Sequence, residues 1–226
     1  MQNRFNQMAP FLARISALVL AVCCLTACTS TGYQKGDVAA GSMRKAAAEV
    51  QAESRALDQV VTTLKDLVNE PGGDLRRPFQ RYSKSLDHLI ATAAAAQKTG
   101  KTVAQKSAAY LQDWNRQLQD IDYQLIHQLS VARQSEVTNR VEEINRRYQE
   151  SQAVIQPLIS YLLDIRKALS TDLTGGGLQT LKGVVQNAND NVAKVQTALT
   201  ALSTELTNSS ALMASVVPQT NDQHTQ

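Results

Sequence analysis

The chain has 226 residues, and its 23 Lys and Arg against 20 Asp and Glu give a formal net charge of only +3 at pH 7. Two of these cations, Arg4 and Arg14, lie in an N-terminal segment with the pattern of a cleaved signal, whose loss would leave a net charge of +1. So close a balance removes the electrostatic basis for nucleic-acid binding. The length suffices for one domain with its own core.

The segment 1–27 has a basic start and a mostly apolar remainder, which is typical of an export signal. Its apolar run is shorter than the ~20 residues that a membrane-spanning helix needs. The run ends in Leu25, Thr26 and Ala27 directly before Cys28, a sequence that resembles the lipobox of bacterial lipoproteins. The resemblance implies cleavage before Cys28 and the attachment of three acyl chains to this cysteine. The alternative is an ordinary cleaved signal that releases a soluble protein.

Lipidation of Cys28 would have two consequences. Several acyl chains together, at ~0.8 kcal/mol per buried CH2, make a membrane anchor effectively permanent. Because Cys23 and Cys24 would leave with the signal, the mature chain would keep no thiol for a disulfide, a nucleophile or a metal site. By resemblance to Gram-negative sorting rules, Thr29 in place of an aspartate favours delivery to the outer membrane, facing the periplasm.

From Asp37 onward, apolar residues recur at alternating steps of three and four, which is the period of one helix face. We call each such row a seam. The pattern predicts a short linker over 28–36, an all-α domain over 37–217 and a disordered tail over 218–226. The first seam consists of Met43, Ala47, Val50, Ser54, Leu57, Val61, Leu64 and Val68.

The second seam follows a helix stop at Glu70–Gly73, after which Asp74 can cap the next helix. Its middle is predicted to be weak, because residues 93–96 are alanines and Gly100 costs ~1 kcal/mol relative to alanine in a helix. A bend or local opening is expected there. The seam consists of Phe79, Tyr82, Leu86, Leu89, Ala93, Ala96, Gly100, Val103, Ser107, Tyr110 and Trp114, and resumes after a slip at Leu118, Ile121 and Leu125.

No Pro or Gly separates the second predicted helix from the third. We place the break near Leu129, with Ser130 as the N-cap of the third helix, and one continuous helix is the alternative. Pro157 deletes a backbone hydrogen bond inside the third helix and predicts a kink. Gly175–Gly177 ends that helix, and the fourth seam runs over 178–216.

Four long helices with short connections predict an elongated antiparallel four-helix bundle, with every seam turned to a shared core. A helix of roughly 33 residues spans ~50 Å at 1.5 Å per residue, so we expect a coiled-coil rod. If the rod stands on its lipid anchor, the turns at 72–73 and 175–177 lie at its far end. The alternative is an open coiled-coil oligomer.

Two motif matches for chemistry are rejected. Ser42 and Lys45 fit the Ser-x-x-Lys pattern of penicillin-interactive enzymes, and Lys98–Gly100 fits a second element of that set. The third element is missing, and both pieces lie in helix-patterned sequence. The chain also has no Glu-x-x-His pair of the kind that binds metals in bundles, no nucleophile elbow and no phosphate loop. The sequence therefore predicts no enzyme, no metal and no cofactor.

A basic cluster is the first candidate binding surface. Arg76, Arg77, Arg81 and Lys84 begin the second helix, where cations oppose the helix dipole. They are a candidate patch for an anionic partner, such as cell-wall carboxylates or lipid phosphates. The interpretation that we favour is a solvated helix end that pairs with acidic neighbours such as Asp74.

Aromatic residues are the second candidate. Phe79, Tyr82, Tyr110, Trp114 and Tyr148 could line a ligand pocket beside the small alanines of the second helix. Each of them also occupies a seam position, so we favour core packing.

Several short motifs extend over most of the chain. They are Gly32-Tyr33-Gln34-Lys35-Gly36, Asp74-Leu75-Arg76, Trp114, Arg147-Tyr148, Gln156-Pro157 and the block from Asp164 to Thr174. In these motifs the chain resembles an uncharacterised family of bacterial helical lipoproteins, known as domain of unknown function 2959. The resemblance implies a lipidated helical domain, and it supplies no catalytic residues.

These observations predict a non-enzymatic cell-envelope lipoprotein. Its helical rod would serve as a scaffold or interaction module towards envelope proteins or the cell wall. A carrier of lipid or of another apolar ligand, which opens near Gly100 and Pro157, is one alternative, and it requires a cavity larger than a methyl group. A membrane-associated coiled-coil oligomer is another.

Overall fold

The computed structural model describes residues 31–69 and 72–216, without the side chains of residues 187–190. Nearly all of these residues are helical, and no strand occurs among them. The predicted all-α class is therefore confirmed. The four helices are α1 (Gly32–Val68), α2 (Arg76–Leu118), α3 (Gln124–Thr171) and α4 (Gly175–Met213).

Each helix packs against two others: α1 and α3 both contact α2 and α4. Contacting helices run antiparallel. Between α1 and α2, for example, the Lys35 ammonium lies 2.8 Å from an Asp113 carboxylate oxygen, and the hydroxyls of Thr63 and Ser85 are 2.6 Å apart. In the other contacting helices, too, residues early in one helix bond to residues late in its neighbour. The pairs are Tyr82–Leu162 and Trp114–Ser130 between α2 and α3, Arg140–Glu205 and Tyr161–Val184 between α3 and α4, and Asp37–Ser215 and Gln51–Ser203 between α1 and α4 or the residues just after it.

Most residues of the predicted seams form the core, but the ends of the second and fourth seams do not, since Leu125 is 56% exposed and Val216 is 75% exposed. In α1, Met43, Val50, Leu57 and Leu64 are at most 2% exposed, and one cluster of buried apolar residues draws on all four helices. Fully burying a side chain of this size contributes about 1.5–3 kcal/mol, so the shared core dominates the stability of the fold. The largest fully buried side chains are Met43, Leu57, Leu64, Leu67, Tyr82, Leu86, Leu89, Ile144, Ile155, Leu162, Leu169 and Leu199.

Helix α1 begins at Gly32, five residues before the predicted start at Asp37, so the linker predicted over 28–36 is wrong in its second half. The sequence indicated a linker here because the regular apolar spacing begins only at Asp37. The first turns are held by packing instead: a Cβ on Gly36 would lie 3.3 Å from the Tyr110 ring and 3.3 Å from the Met213 carbonyl oxygen. Glycine permits this close approach of α1 to α2 and α4.

The boundary between α2 and α3 also differs from the prediction. Helix α2 ends at Leu118 and α3 begins at Gln124, whereas the sequence placed the break near Leu129. The chain tightens after α2, where the N–H of Ile121 donates to the Leu118 carbonyl three residues earlier. Ser130 lies inside α3, and its hydroxyl accepts a hydrogen bond from Trp114 Nε1 at 3.1 Å, so its predicted role as an N-cap is wrong.

The turn at 72–73 agrees with the sequence, whereas the stop predicted at Gly175–Gly177 is wrong: α3 already ends at Thr171, and these glycines form the first turn of α4. Gly72 and Gly73 adopt positive φ angles of 151° and 111°, which glycine tolerates best, and Asp74 Oδ1 accepts the backbone N–H of Arg76 at 3.1 Å. Helix α3 continues through Pro157. The Thr174 hydroxyl accepts the N–H of Gly177 at 3.1 Å and caps α4.

Helix α4 ends at Met213, three residues before the predicted end of its seam, and the predicted tail over 218–226 lies outside the described residues. Over residues 31–69 and 72–216, none of the helices has both the length and the apolar character that a membrane crossing requires.

Candidate functional site

The predicted site residues fall into two groups. Leu25, Thr26, Ala27 and the predicted lipidation site Cys28 lie outside the described residues. The basic cluster is described: all four of its cations are exposed at the start of α2.

The basic cluster has an acidic neighbour. The Arg76 guanidinium lies 2.8 Å from Asp74 Oδ1, and this hydrogen bond holds the pKa of the Asp74 carboxyl below its usual range. Arg77, Arg81 and Lys84 follow at helical spacing, so they share one exposed face of α2. The pairing of Arg76 agrees with a solvated, partly neutralised helix end.

The five aromatic residues that could line a pocket differ in their burial. Tyr82 is fully buried and its hydroxyl donates to the Leu162 carbonyl at 2.6 Å, which makes it a core residue. Phe79, Tyr110 and Trp114 are half-buried against the same core. Tyr148 differs from these four, because it lines a groove.

This groove lies between the middles of α2 and α3. Its volume is about 790 Å³, and it is open to solvent. The small residues Gly100, Ala104 and Ala153 leave the space that larger side chains would occupy. The lining is completed by Gln97, Lys101, Asn145, Tyr148, Gln149 and Gln152. Helix α2 is continuous through Gly100, so the groove results from the small side chains that line it and not from a break in the helix.

Gly100 is required by the position of Tyr148. A Cβ at residue 100 would come within 2.7 Å of the Tyr148 ring, closer than real Cβ atoms approach other heavy atoms. The ring therefore lies directly against the backbone of α2. A smaller groove, of about 380 Å³, lies between α3 and α4 beside Pro157, the second place at which the sequence predicted an opening.

A buried carboxyl lies near Tyr148. Glu53 of α1 is only 1% exposed, and its Oε1 atom has no hydrogen-bond partner among the described residues. Burial raises the pKa of this carboxyl to about 7. The core at this level therefore holds a group that gains or loses a proton near neutral pH.

The Tyr148 hydroxyl is the second polar group in this region. Burial raises its pKa to about 12, and the nearby Glu53 carboxyl adds to the shift. The hydroxyl makes no hydrogen bond of good geometry with the described residues, and the neighbouring Thr99 hydroxyl partly offsets the rise of the Tyr148 pKa.

Sequence reasoning missed Glu53. The seam of α1 passes through Ser54, which is half-buried, whereas Glu53 is fully buried. The signal was its spacing, three residues after Val50 and four before Leu57, which places it beside the seam.

The structure is that of an all-helical domain with an open groove between α2 and α3 and with two buried polar atoms, Glu53 Oε1 and the Tyr148 hydroxyl oxygen, that lack hydrogen-bond partners among the described residues. The sequence profile of the family described as "Protein of unknown function (DUF2959)" matches residues 25–216. The chain belongs to this family, as its motifs predicted. Neither a curated relative nor a solved structure matches it.

Proposed function

We propose that this protein is a non-enzymatic lipoprotein of the bacterial cell envelope, anchored through Cys28 and facing the periplasm from the outer membrane. In this proposal its four helices form one elongated antiparallel bundle, which serves as an interaction module for envelope proteins or the cell wall. The support is the lipobox-like sequence, the family membership and the pattern of helix contacts.

The contact pattern is the observation that carries the proposal. Helices α1 and α3 each pack against α2 and α4, and one buried cluster draws on all four helices. This pattern supports a monomer in which most of the seams pack against one another within one chain. Only three residues separate Cys28 from the start of α1 at Gly32, so an anchor at Cys28 would hold this folded unit close to the membrane.

Mass spectrometry of the mature N-terminus tests the anchor. We expect a triacylated Cys28 in the wild type and loss of acylation in Cys28→Ser. The matched control is Cys24→Ser, which changes a cysteine inside the predicted signal and should leave acylation intact. An unacylated mature chain, or one that begins at another residue, would contradict the proposal.

Cross-linking in intact cells tests the interaction module. We expect the lipidated protein to be recovered with envelope partners. A variant with Arg77 and Arg81 changed to Gln should lose partners that bind the basic face, whereas Lys98→Gln with Lys106→Gln, two exposed positions elsewhere on α2, controls for the loss of charge. Recovery of free monomer alone would count against an interaction role.

The groove favours a second candidate function, the carriage of a lipid or another apolar ligand. Its volume of about 790 Å³ is far larger than a methyl group and lies in the range of small-molecule sites. A fluorescent fatty acid is a suitable probe. We expect Ala104→Trp, which fills the groove, to abolish binding, and Ala109→Trp, on another side of α2, to leave it unchanged. Equal binding by both variants would reject the groove as the site.

A further inference from the structure

Exposed apolar side chains concentrate at one end of the helical unit. Among the described residues, the exposed large apolar side chains lie at the start of α1, in the α2–α3 turn and first turns of α3, and at the end of α4. They are Tyr33, Val38, Tyr123, Leu125, Ile126, Leu129, Val131, Leu212 and Val216. We call this set the apolar tip.

Polar contacts hold these segments together. Asp37 at the start of α1 accepts the backbone N–H of Ser215 just after α4, at 2.7 Å. The Arg133 guanidinium near the start of α3 donates to the Leu212 carbonyl at 2.9 Å. Because Trp114 of α2 also bonds to Ser130 of α3, all four helices meet at this end.

The centre of the tip is the beginning of α3. Leu125, Ile126 and Leu129 are 56%, 56% and 64% exposed, and their spacing places them on one side of the first two turns. None of these three side chains belongs to the buried core. A contiguous exposed apolar patch of this kind marks a site of interaction with a protein or a membrane.

We propose that the apolar tip inserts into the interface of the bilayer, as a second membrane contact made by the protein itself. This inference rests on the proposed lipidation of Cys28. That residue lies four positions before Gly32, so the chain allows at most about 14 Å between their Cα atoms. An anchored protein thus has to keep the start of α1, and with it the tip, next to the lipid.

The chemistry of the tip favours lipid over a second copy of the chain. Tyr33 and Tyr123, which are 61% and 65% exposed, are amphipathic residues of the type enriched at membrane interfaces. The apolar groups also come from the ends of several helices, so they cap the unit instead of forming a face along it.

The charges around the apolar tip indicate whether it prefers anionic or neutral lipid. Lys35 and Arg116 both pair with Asp113, so these cations are partly neutralised within the protein. The turn itself adds Asp120 and Asp122, which are exposed. Insertion therefore depends on apolar contact, and we expect no gain from anionic lipid.

A site-specific probe on the lipidated protein tests the inference. The sequence after Cys28 contains no cysteine, so a single introduced thiol can carry an environment-sensitive fluorophore. The test position is Ile126→Cys, and the control is Gln80→Cys, an exposed position at the opposite end of α2. Both proteins are reconstituted into phosphatidylcholine vesicles with and without brominated acyl chains.

We expect a blue shift and bromolipid quenching at position 126, and neither at position 80. Replacing part of the lipid with phosphatidylglycerol should not increase the signal. With the probe moved to Val38→Cys, changing Leu125, Ile126 and Leu129 to Ser should markedly weaken the quenching, since each fully buried aliphatic side chain is worth roughly tenfold in partitioning. These side chains are exposed, so the variant should keep the helicity of the parent protein.

Two results would overturn the inference. One is a water-like signal at position 126 in protein that mass spectrometry shows to be acylated. The other is a blue shift without bromolipid quenching in protein that cross-links to itself, which would assign the tip to a second copy. An unacylated chain would refute the proposed anchor instead, so the two failures are distinguishable.

Discussion

Neutralising Glu53 should change how the stability of the protein depends on pH. The carboxyl is 1% exposed, and its pKa is about 7 against an ordinary value of 4.5. The folded protein therefore holds this proton more tightly than the unfolded chain. Its contribution is fully present below pH 4.5, where both states are protonated, and is lost as the pH rises to about 7 and the carboxyl ionises inside the core.

The size of the effect follows from the shift. At 1.36 kcal/mol per pKa unit, the penalty above pH 7 is about 3 kcal/mol, as an order of magnitude. Glu53→Gln keeps the shape of the side chain and removes the ionisation. We expect the variant and the wild type to differ least near pH 4.5, with the variant gaining up to about 3 kcal/mol relative to the wild type by pH 8.

Urea unfolding followed by far-UV circular dichroism, at several pH values from 4.5 to 8, measures this difference. Comparison of the two proteins cancels the other titrating groups. Glu142→Gln, at an exposed position of α3, is the matched control and should show no such trend. If the free energies of unfolding of the wild type and Glu53→Gln stay parallel over the whole range, the carboxyl is hydrated or paired and the reasoning is refuted.

Three further substitutions test the packing. Gly100→Ala should destabilise the protein by about 1–2 kcal/mol despite the better helix propensity of alanine, because the new Cβ would meet the Tyr148 ring. If urea unfolding instead shows a free energy of unfolding that is higher by ~1 kcal/mol, the ring moves aside without cost. Tyr82→Phe should cost about 1 kcal/mol through loss of the bond to the Leu162 carbonyl, and an unchanged urea midpoint would contradict this. Thr174→Ala removes the cap of α4 and should cost about 1 kcal/mol, while an unchanged thermal midpoint would show that the cap is redundant.

Local spacing was sufficient to predict the helices and most of their buried faces. Met43, Val50, Leu57 and Leu64 recur every seven residues and are all buried, because one side of a helix returns at that interval. The positive-φ glycines at 72–73 similarly mark a turn that depends on few neighbours.

The burial of Glu53 could not be predicted in the same way. Helix α1 has two neighbours, so the strip that it buries is wider than one seam and takes in a residue beside it. A carboxylate at such a position would ordinarily be assigned to the surface, since an unpaired buried charge is costly. The raised pKa is the response of the carboxyl to that burial.

The early part of α3 shows the opposite error. Leu125 was assigned to a seam because it continues the helical period, yet it is 56% exposed. Regular apolar spacing predicts that a helix has an apolar side, but it does not predict which part of the protein covers that side. Here α2 has already ended at Leu118, so the side chain at 125 has no helix facing it.

The amino-acid sequence alone determined the all-helical class, the seams and the family, because these depend on residue types at short, regular spacing. Tertiary structure decided where α2 stops, that Glu53 lies in the core and that Tyr148 lines a groove against Gly100. The physical reason is that burial depends on which helix surfaces meet, and residues that meet between helices, such as Thr63 with Ser85 or Asp37 with Ser215, are 22 to 178 positions apart along the chain.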